Sequence, residues 1–434
     1  MTRALVLGGG GSRGAYEIGV WKALRELNMD FSIVTGTSVG ALNGAVIAQG
    51  DYDLALDIWM NITNEMVLSL DRPLSTETLR DRLERAGAFA REIAVSRGVS
   101  SEPLKKLLEE KLDEDRIRRS PIRFGIATFR LSDLTPLSLM VDEIPAGKLA
   151  DYVLASASFF PAMQSHEIDG EEYIDGGYAD TVPINLALRA GADEIIAVDL
   201  KGIGVRHAPE GLPIENLRMI RSQWSLGSVL EFNADSAKRN IALGYLDTLK
   251  SYGRLEGRYY AFTPDAMGEL FAFTKEAEAE YFRYYPSSFL PNRALQTRLL
   301  FTLCRMNGAV ELLKFRRKPS ENELRLNFLE NAARVFDVPP TVAYSAQGFL
   351  DALNNAFENV PSPDASVLES ILSSEEPLNV KIEQLLKQAE RLKPVGVAKW
   401  LMETFPDGDI PPYLAGAFPS VFLAFIAMHV LRNR

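Results

Sequence analysis

FSIVTGTSVGALNGAVI, residues 31–47, carries the pattern from which the fold of this chain follows. An apolar, β-branched run leads into GTSVG at residues 36–40, and small residues then recur at helical spacing. This order predicts a buried strand, a sharp turn and a helix. A G-x-S-x-G turn in that setting is typical of a nucleophile elbow, which holds the Ser38 hydroxyl out on the turn. The alternative interpretation is a tight turn whose hydroxyl caps the helix.

Bulk composition limits the class of protein. The chain has 434 residues, 47% of them apolar, and a formal net charge of −11. Its length suggests two or three domains with ample core, and its acidity argues against nucleic acid as a partner. The single cysteine, Cys304, excludes an internal disulfide and fits a reducing compartment. With no secretory leader visible, we expect a cytoplasmic protein, with peripheral contact at a membrane as a second option.

A glycine-rich segment follows the first apolar run. Residues 9–14 (GGGSRG) match the dinucleotide pattern G-x-G-x-x-G, but no acidic residue ends the second strand to hold a ribose. The Gly-Lys-Ser/Thr of a phosphate loop is absent. The segment therefore favours an oxyanion hole, in which backbone N–H groups at a helix start face a developing negative oxygen. A structural glycine turn is the remaining alternative, which the entropy cost of four successive glycines disfavours.

A carboxylate follows a short β-like stretch further along the chain. Asp175 precedes Gly176 and Gly177, a sequence that by itself favours a hairpin turn. Alternating strands and helices up to Leu200 predict an α/β domain with a mostly parallel sheet. Sites in such sheets form at the carboxyl ends of strands. The three glycine-bearing turns each follow a predicted strand, so we expect them to meet at one edge.

Together these three segments resemble the patatin-like phospholipase family. The resemblance rests on GGGSRG, GTSVG and DGG in that order, including Gly14, Gly36 and Gly40, and covers roughly residues 1–265. It implies a three-layer α/β/α domain with a mostly parallel central sheet. Thr181 stands where the family often has asparagine, which we expect to affect loop bonding rather than chemistry.

The resemblance also implies a mechanism. Ser38 would attack a lipid or phospholipid ester, and Asp175 would take its proton without an intervening imidazole. The backbone N–H groups of Gly9, Gly10 and Gly11 would hold the oxyanion, and neither cofactor nor metal would be needed. A Ser-His-Asp triad is the rival, with His166 as the one histidine near the site.

Two features near the predicted site stay open between roles. Arg13 would attract a phosphate-bearing substrate or position its loop through a salt bridge, and we favour positioning. The apolar patch from Ile58 to Leu70 would line an acyl pocket or form a lid, but we favour packing against the sheet.

The remaining third of the chain predicts helices broken by prolines. We expect residues 266–434 to form an all-α domain of unknown role, through which the chain could form homo-oligomers. Tyr413–Leu431 is apolar and nearly long enough to span a bilayer, but Pro419 interrupts it. We favour a buried or dimer-forming helix over one that contacts a membrane interface.

Three functions compete on this basis. The first is a serine acyl hydrolase acting on lipid esters. The second is a dinucleotide-binding oxidoreductase, disfavoured by the missing ribose acid. The third is a catalytically silent relative whose helical region binds a partner.

Overall fold

Short apolar segments of the first 220 residues form a sheet in the computed structural model. The structure describes residues 2–69, 98–284, 321–411, 414 and 418–434. Within these residues the chain divides into two compact units, Met1–Gly253 and Arg254–Arg434. The sheet of the first unit has eight strands. They are β1 (Arg3–Leu7), β2 (Ile33–Thr37), β3 (Arg123–Arg130), β4 (Thr135–Met140), β5 (His166–Ile168), β6 (Glu171–Ile174), β7 (Glu194–Val198) and β8 (Leu217–Ile220).

Five of these strands form the predicted parallel sheet, in the order β3-β2-β1-β7-β8. Leu7 pairs with both Gly36 and Val198, so β1, β2 and β7 end at the same level. We call the edge where they end the carboxyl edge and the opposite one the amino edge. The glycine segment after β1 and Ser38 after β2 are therefore neighbours.

Antiparallel strands complete the sheet beyond β3. Residues 125–127 of β3 pair with β2 on one side and β4 on the other, whereas Phe129 and Arg130 pair with β4 and β6. β6 therefore lies on the same side of β3 as β2 and in line with β2. It runs in the opposite direction, towards the end of β2. Asp175, directly after β6, meets the end of β2 head-on rather than following a parallel strand.

The alternation of side chains along β1 explains the layers. Leu5 and Leu7 face one core, and Ala4 and Val6 face another. The first core is covered by most helices of the unit and the second by one helix, which gives the predicted three-layer α/β/α arrangement. The helices are α1 (Ala15–Glu26), α2 (Val39–Gln49), α3 (Tyr52–Met60), α4 (Glu102–Lys111), α5 (Glu114–Arg118), α6 (Leu149–Ser156), α7 (Ile184–Arg189) and α8 (Ala234–Ser251), of which α7 covers the second core.

The second unit is mainly helical. Its described helices are α9 (Ala266–Tyr284), α10 (Glu321–Val335), α11 (Ala346–Glu358), α12 (Ser366–Ser373), α13 (Leu378–Thr404) and α14 (Pro419–Arg432). It also contains two parallel two-residue strands, β9 (Ala261–Phe262) and β10 (Ala343–Tyr344). The sequence also predicts a last strand of the first domain at Tyr259–Phe262, but β9 pairs within the second unit. The predicted boundary at residue 265 lies just after β9.

The C-terminal apolar segment is a buried helix. Residues Leu423 to Met428 of α14 have no exposed surface. Pro419 starts this helix instead of interrupting one, because the first helical position needs no N–H donor. No helix among the described residues has the length and apolar character required to cross a membrane. Apolar spacing in the sequence also predicts helices at residues 75–90 and 294–314, both of which lie outside the described residues.

Candidate active site

The Ser38 backbone has the strained geometry of an elbow. Its φ of 56° and ψ of −125° lie in a region that residues other than glycine rarely adopt. Glycines on either side allow the turn, because a Cβ at Gly36 would stand 2.1 Å from the Gly40 carbonyl oxygen. A Cβ at Gly40 would stand 2.4 Å from the Leu7 oxygen. The packing of the strand end and the helix thus holds Ser38 in an unfavourable conformation.

A neighbouring serine anchors this turn. The Ser38 N–H donates to Ser156 Oγ at 2.9 Å, and Ser156 Oγ donates to the Ala127 carbonyl at 2.6 Å. Ser156 ends α6, and Ala127 lies in β3. The elbow is therefore fixed to two elements distant in sequence, a contact that the motif alone does not reveal.

Asp175 lies buried beside the elbow, with 4% of its surface exposed. Its Oδ1 accepts from the Gly177 N–H at 2.7 Å, while Oδ2 is buried without a hydrogen-bond partner among the described residues. Burial raises the pKa of Asp175 to about 6, an effect that the nearby Ser38 side chain and the Gly177 N–H partly oppose. The two side chains are neighbours, but no hydrogen bond joins them in this structure. Such contacts often tighten only once substrate binds.

The glycine segment is partly committed to other bonds. The Gly9 N–H donates to the Thr181 carbonyl at 2.9 Å. This geometry does not support the expectation that Gly9 donates to an oxyanion. No hydrogen bond joins the N–H groups of Gly10 and Gly11 to another described residue. Gly11, at φ 56°, packs so closely that a Cβ would stand 2.1 Å from the Val229 oxygen.

Arg13 is bound to backbone, not to carboxylates. Its Nε donates to the Gly227 carbonyl at 2.9 Å, and its Nη1 donates to the Leu200 and Lys201 carbonyls at 3.3 and 3.0 Å. These bonds tie the glycine segment to the loops that follow β7 and β8. They favour a positioning role, through carbonyls rather than the expected salt bridge.

The remaining motif residues lie where backbones cross. Thr181 donates its N–H to the Val205 carbonyl at 2.7 Å, and its hydroxyl donates to the same oxygen. Thr181 therefore bonds to the loop that carries Val205 and, through its own carbonyl, to the Gly9 N–H. A Cβ at Gly176 would stand 2.1 Å from the Ala127 oxygen, one at Gly177 3.0 Å from Asp175 Oδ1, and one at Gly14 2.3 Å from the Val39 side chain.

An apolar pocket opens from these residues. Gly9, Gly10, Gly11, Ser38 and Asp175 line one end of it. The walls are one face of each of three helices: Val39, Leu42, Asn43 and Val46 of α2; Ala55, Ile58 and Trp59 of α3; and Leu104, Leu107, Leu108 and Lys111 of α4. We call this the apolar pocket. Trp59, Ile62 and Val67 of the patch predicted from Ile58 to Leu70 belong to the core and also line the pocket.

The pocket follows the axis of α2. Val39 and Val46 are seven residues apart, which corresponds to about 10 Å of helix. Gln49 Nε2 donates to the Lys111 carbonyl at 3.2 Å, so Lys111 lies beside the end of α2, about 15 Å from its start. The pocket is thus long enough for an extended hydrocarbon chain.

A buried polar network under the pocket was missed in the sequence. Asn43 donates to the Gly14 carbonyl at 3.0 Å and to Glu17 Oε2 at 2.7 Å, and it accepts from Trp59 Nε1 at 2.9 Å. Burial raises the pKa of Glu17 well above its usual range. The network joins the glycine segment to the pocket wall. A glutamate and an asparagine on otherwise apolar helix faces were the available signal.

No histidine is found among the described residues that line the pocket. His166 Nε2 pairs with Asp151 Oδ1 at 3.0 Å on the edge strand β5, and His207 Nε2 lies 3.1 Å from the Ala179 carbonyl. Neither contacts Ser38. In the described part of the chain no three His, Cys, Asp or Glu side chains cluster as a metal site would require.

A family model and several known proteins match the part of the chain that forms this site. A family model described as "Patatin-like phospholipase" matches residues 5–188. The chain is 31% identical over 209 residues to the human "Patatin-like phospholipase domain-containing protein 6", an alignment that covers 46% of this chain and 13% of the relative. It is 25% identical over 262 residues to "Lysophospholipase NTE1" of Saccharomyces cerevisiae, covering 57% and 14%. The chain thus matches about one seventh of the length of these relatives.

Among solved structures, that of VipD from Legionella pneumophila aligns with a TM-score of 0.34 and 14% identity, over 99% of this chain and 91% of that one. The family match covers the glycine segment, the elbow and the acidic turn together. Residues 5–188 therefore form a domain of the patatin-like phospholipase family.

Proposed function

We propose that this protein is a serine hydrolase that cleaves the acyl ester of a lysophospholipid or phospholipid, with Ser38 as nucleophile and Asp175 as base. The observation that carries the proposal is the position of a strained serine and a buried carboxylate together at one end of a long apolar pocket. The family match and the yeast relative's name, "Lysophospholipase NTE1", support the substrate class.

The reaction proceeds in two halves. Ser38 Oγ attacks the ester carbonyl carbon while its proton passes to Asp175 Oδ2, the oxygen that lacks a partner. The negative carbonyl oxygen is held by the N–H groups of Gly10 and Gly11, with Gly9 serving instead as a structural donor. The carbon–oxygen bond to the leaving alcohol breaks as Asp175 returns the proton to that oxygen. Water then attacks the acyl carbon as Asp175 takes its proton. The bond from that carbon to Ser38 Oγ breaks, Asp175 returns the proton to Oγ, and the fatty acid leaves.

The Asp175 environment suits this role. A carboxylate of ordinary pKa is a weak base at neutral pH, and burial moves this one to about 6. It remains mostly ionised at pH 7 while being a stronger base than an exposed aspartate. Arg13 fixes the glycine segment through three carbonyls, and the apolar pocket takes the acyl chain.

The length of the apolar pocket limits the number of carbons in the acyl chain that it can hold. An extended chain of tetrahedral atoms advances roughly 1.2 Å per bond. The 15 Å estimated from the helix rise thus corresponds to about twelve carbons. We expect lauroyl esters to fill the pocket more completely than octanoyl esters.

A fluorophosphonate probe together with hydrolysis of lauroyl lysophosphatidylcholine tests the proposal. The native protein should be labelled and active, Ser38→Ala should lose both, and Asp175→Asn should lose activity by at least about 1,000-fold. His166→Ala is the control and should retain most activity. Labelling that survives Ser38→Ala, or activity lost in His166→Ala but kept in Asp175→Asn, would overturn the dyad. An unlabelled, inactive native protein would favour a catalytically silent relative.

A further inference from the structure

Exposed apolar side chains lie beside the end of the apolar pocket that Asp175 lines. Ile203 is 70% exposed although it also lines the pocket, and Val205 and Tyr178 are 44% and 42% exposed. Lys201 is exposed beside them. We call these four residues the mouth surface. Leaving large apolar side chains in water is unfavourable, and their grouping at a site points to an interaction.

The backbone beneath the mouth surface is tightly held. The Val205 N–H donates to the Gly177 carbonyl at 2.9 Å, and the Val205 carbonyl accepts from Thr181. A Cβ at Gly202 or Gly204 would stand 2.2 Å from the carbonyl oxygen of Gly9 or Gly177, respectively. The loop therefore lies directly on the two turns that form the site. These contacts hold the backbone of Ile203 at the pocket, while most of its side chain is exposed.

Charge near the mouth surface differs from that of the whole chain. Arg206 and Arg221 pair with the buried Asp199 at 2.8 and 3.4 Å, and Lys201 has no ion pair with a described residue. Lys201 is thus a cation in the mouth surface that no described carboxylate pairs with, whereas the chain as a whole carries −11. An apolar patch flanked by cations complements a surface of apolar chains under anionic head groups.

We propose that the mouth surface docks on a phospholipid bilayer, with Ile203, Val205 and Tyr178 among the acyl chains and Lys201 at the head groups. This inference rests on the proposed function, because it places the pocket opening against the phase that supplies the ester. A lipid surface fits better than a protein partner because the mouth must stay open to a substrate that resides in that phase.

Vesicle sedimentation of the full chain in the Ser38→Ala background tests this docking without turnover. Vesicles of phosphatidylcholine, with and without one-fifth phosphatidylserine, are the probes. Adding Ile203→Asp and Val205→Asp should lower the partition coefficient at least about tenfold on both. Lys201→Gln should remove most of the gain that phosphatidylserine provides.

Ile214→Asp is the matched control. Ile214 is 86% exposed, more than Ile203, and precedes β8 at the amino edge, away from the mouth. It should bind as the Ser38→Ala parent does. Equal loss in this control, no loss in the double variant, or no binding by the parent would each overturn the proposal. Thermal melts check folding, and Tyr178→Ser replaces the double variant if that does not fold.

The two proposals fail separately. Hydrolysis of a soluble short-chain ester by the native protein reports the chemistry without any bilayer. Vesicle binding by Ser38→Ala reports docking without chemistry. If the protein is active but vesicle binding does not depend on the mouth surface, only the docking proposal is refuted. If binding depends on the mouth surface but the protein is inactive, only the hydrolase proposal is refuted.

Discussion

The two edges of the central sheet treat polar groups in opposite ways. At the amino edge, Arg3 pairs with Glu194 at 2.8 Å across β1 and β7, and Asp193 accepts from the Thr2 N–H at 2.8 Å. At the carboxyl edge, Asp175 is buried with an oxygen that has no partner among the described residues, and Ser38 is strained. Most polar groups at the first edge are paired, although Arg3 Nε is buried without a partner among the described residues. At the second edge Asp199 is paired, whereas Ser38 and the Asp175 Oδ2 atom lie beside the pocket in an unfavourable state.

The difference shows that groups in an unfavourable state, which lower the free energy of unfolding, lie at the edge that carries the candidate site. Both edges belong to the same strands, so strand formation does not distinguish them. The carboxyl edge differs because the helices start there and glycine turns let backbones cross closely. The predictions that follow separate the two edges, beginning with the largest effect.

Gly11→Ala should lower kcat about 100- to 1,000-fold, because a Cβ 2.1 Å from the Val229 oxygen displaces a proposed oxyanion donor. Ester hydrolysis under saturating substrate measures it. Gly191→Ala, which also has positive φ but no atom within 4 Å and precedes β7 at the amino edge, should cost only about 1 kcal/mol of stability. Similar kcat values for the two variants would contradict the assignment.

Asp175→Asn should raise the free energy of unfolding at pH 8, by on the order of 3 kcal/mol. The folded pKa of about 6 exceeds the ordinary 3.8, so between these values the folded protein keeps a proton that the unfolded chain releases. Stability therefore falls as pH rises through this window, and ionised Asp175 destabilises the fold above it. Urea unfolding at pH 8 and pH 4 measures the gain, which should vanish at the lower pH. A loss of stability at pH 8 would refute this account.

The pH profile of kcat/KM should rise with a midpoint near pH 6, because the base must be ionised in the free enzyme. At pH 5 the value should be about one tenth of the plateau. A second buried carboxyl group, Asp180, also has its pKa raised to about 6 by burial, and the Val182 N–H partly opposes the shift. Asp180→Asn should therefore keep the midpoint if Asp175 is the base.

Val46→Phe should shift the preferred acyl chain from about twelve towards about eight carbons, since it fills the apolar pocket about 10 Å along α2. The ratio of kcat/KM for lauroyl and octanoyl esters measures the shift. Ile47→Phe, next to it in the core but away from the pocket, should leave the ratio unchanged. An unchanged ratio in Val46→Phe would mean that the chain binds elsewhere.

Glu194→Gln at the amino edge should change the free energy of unfolding by less than about 1 kcal/mol, because the pair with Arg3 is partly exposed and screened. Chemical denaturation at pH 8 measures it beside Asp175→Asn. The two variants remove one carboxylate each, so opposite signs would confirm the contrast between the edges.

Much of the site could be predicted because its parts are local. A glycine must flank Ser38 wherever a strand turns sharply into a helix, so the elbow is recognisable from five residues. The parallel direction of β1, β2 and β3 could be predicted from the alternation of strands and helices. The antiparallel approach of β6 did not, since nothing in four residues of strand indicates its direction.

Long-range contacts decided the other details. The Gly9 N–H donates to the Thr181 carbonyl, and the sequence around neither residue predicts that hydrogen bond. Leu104, Leu107, Leu108, Lys111 and Leu112 line the pocket because α4 packs against α6, which ends beside the elbow. The apolar periodicity of α4 predicts a buried face, but not what that face touches.

By itself, the sequence determined the chemical groups and the local turns that present them, because steric limits on the backbone act between residues close together in the chain. Only the tertiary structure decided which amide hydrogens stay available, how deeply Asp175 is buried and where the pocket runs. Those properties depend on atoms brought together from distant segments, and the pKa of a carboxyl group responds to that surrounding rather than to its neighbours in sequence.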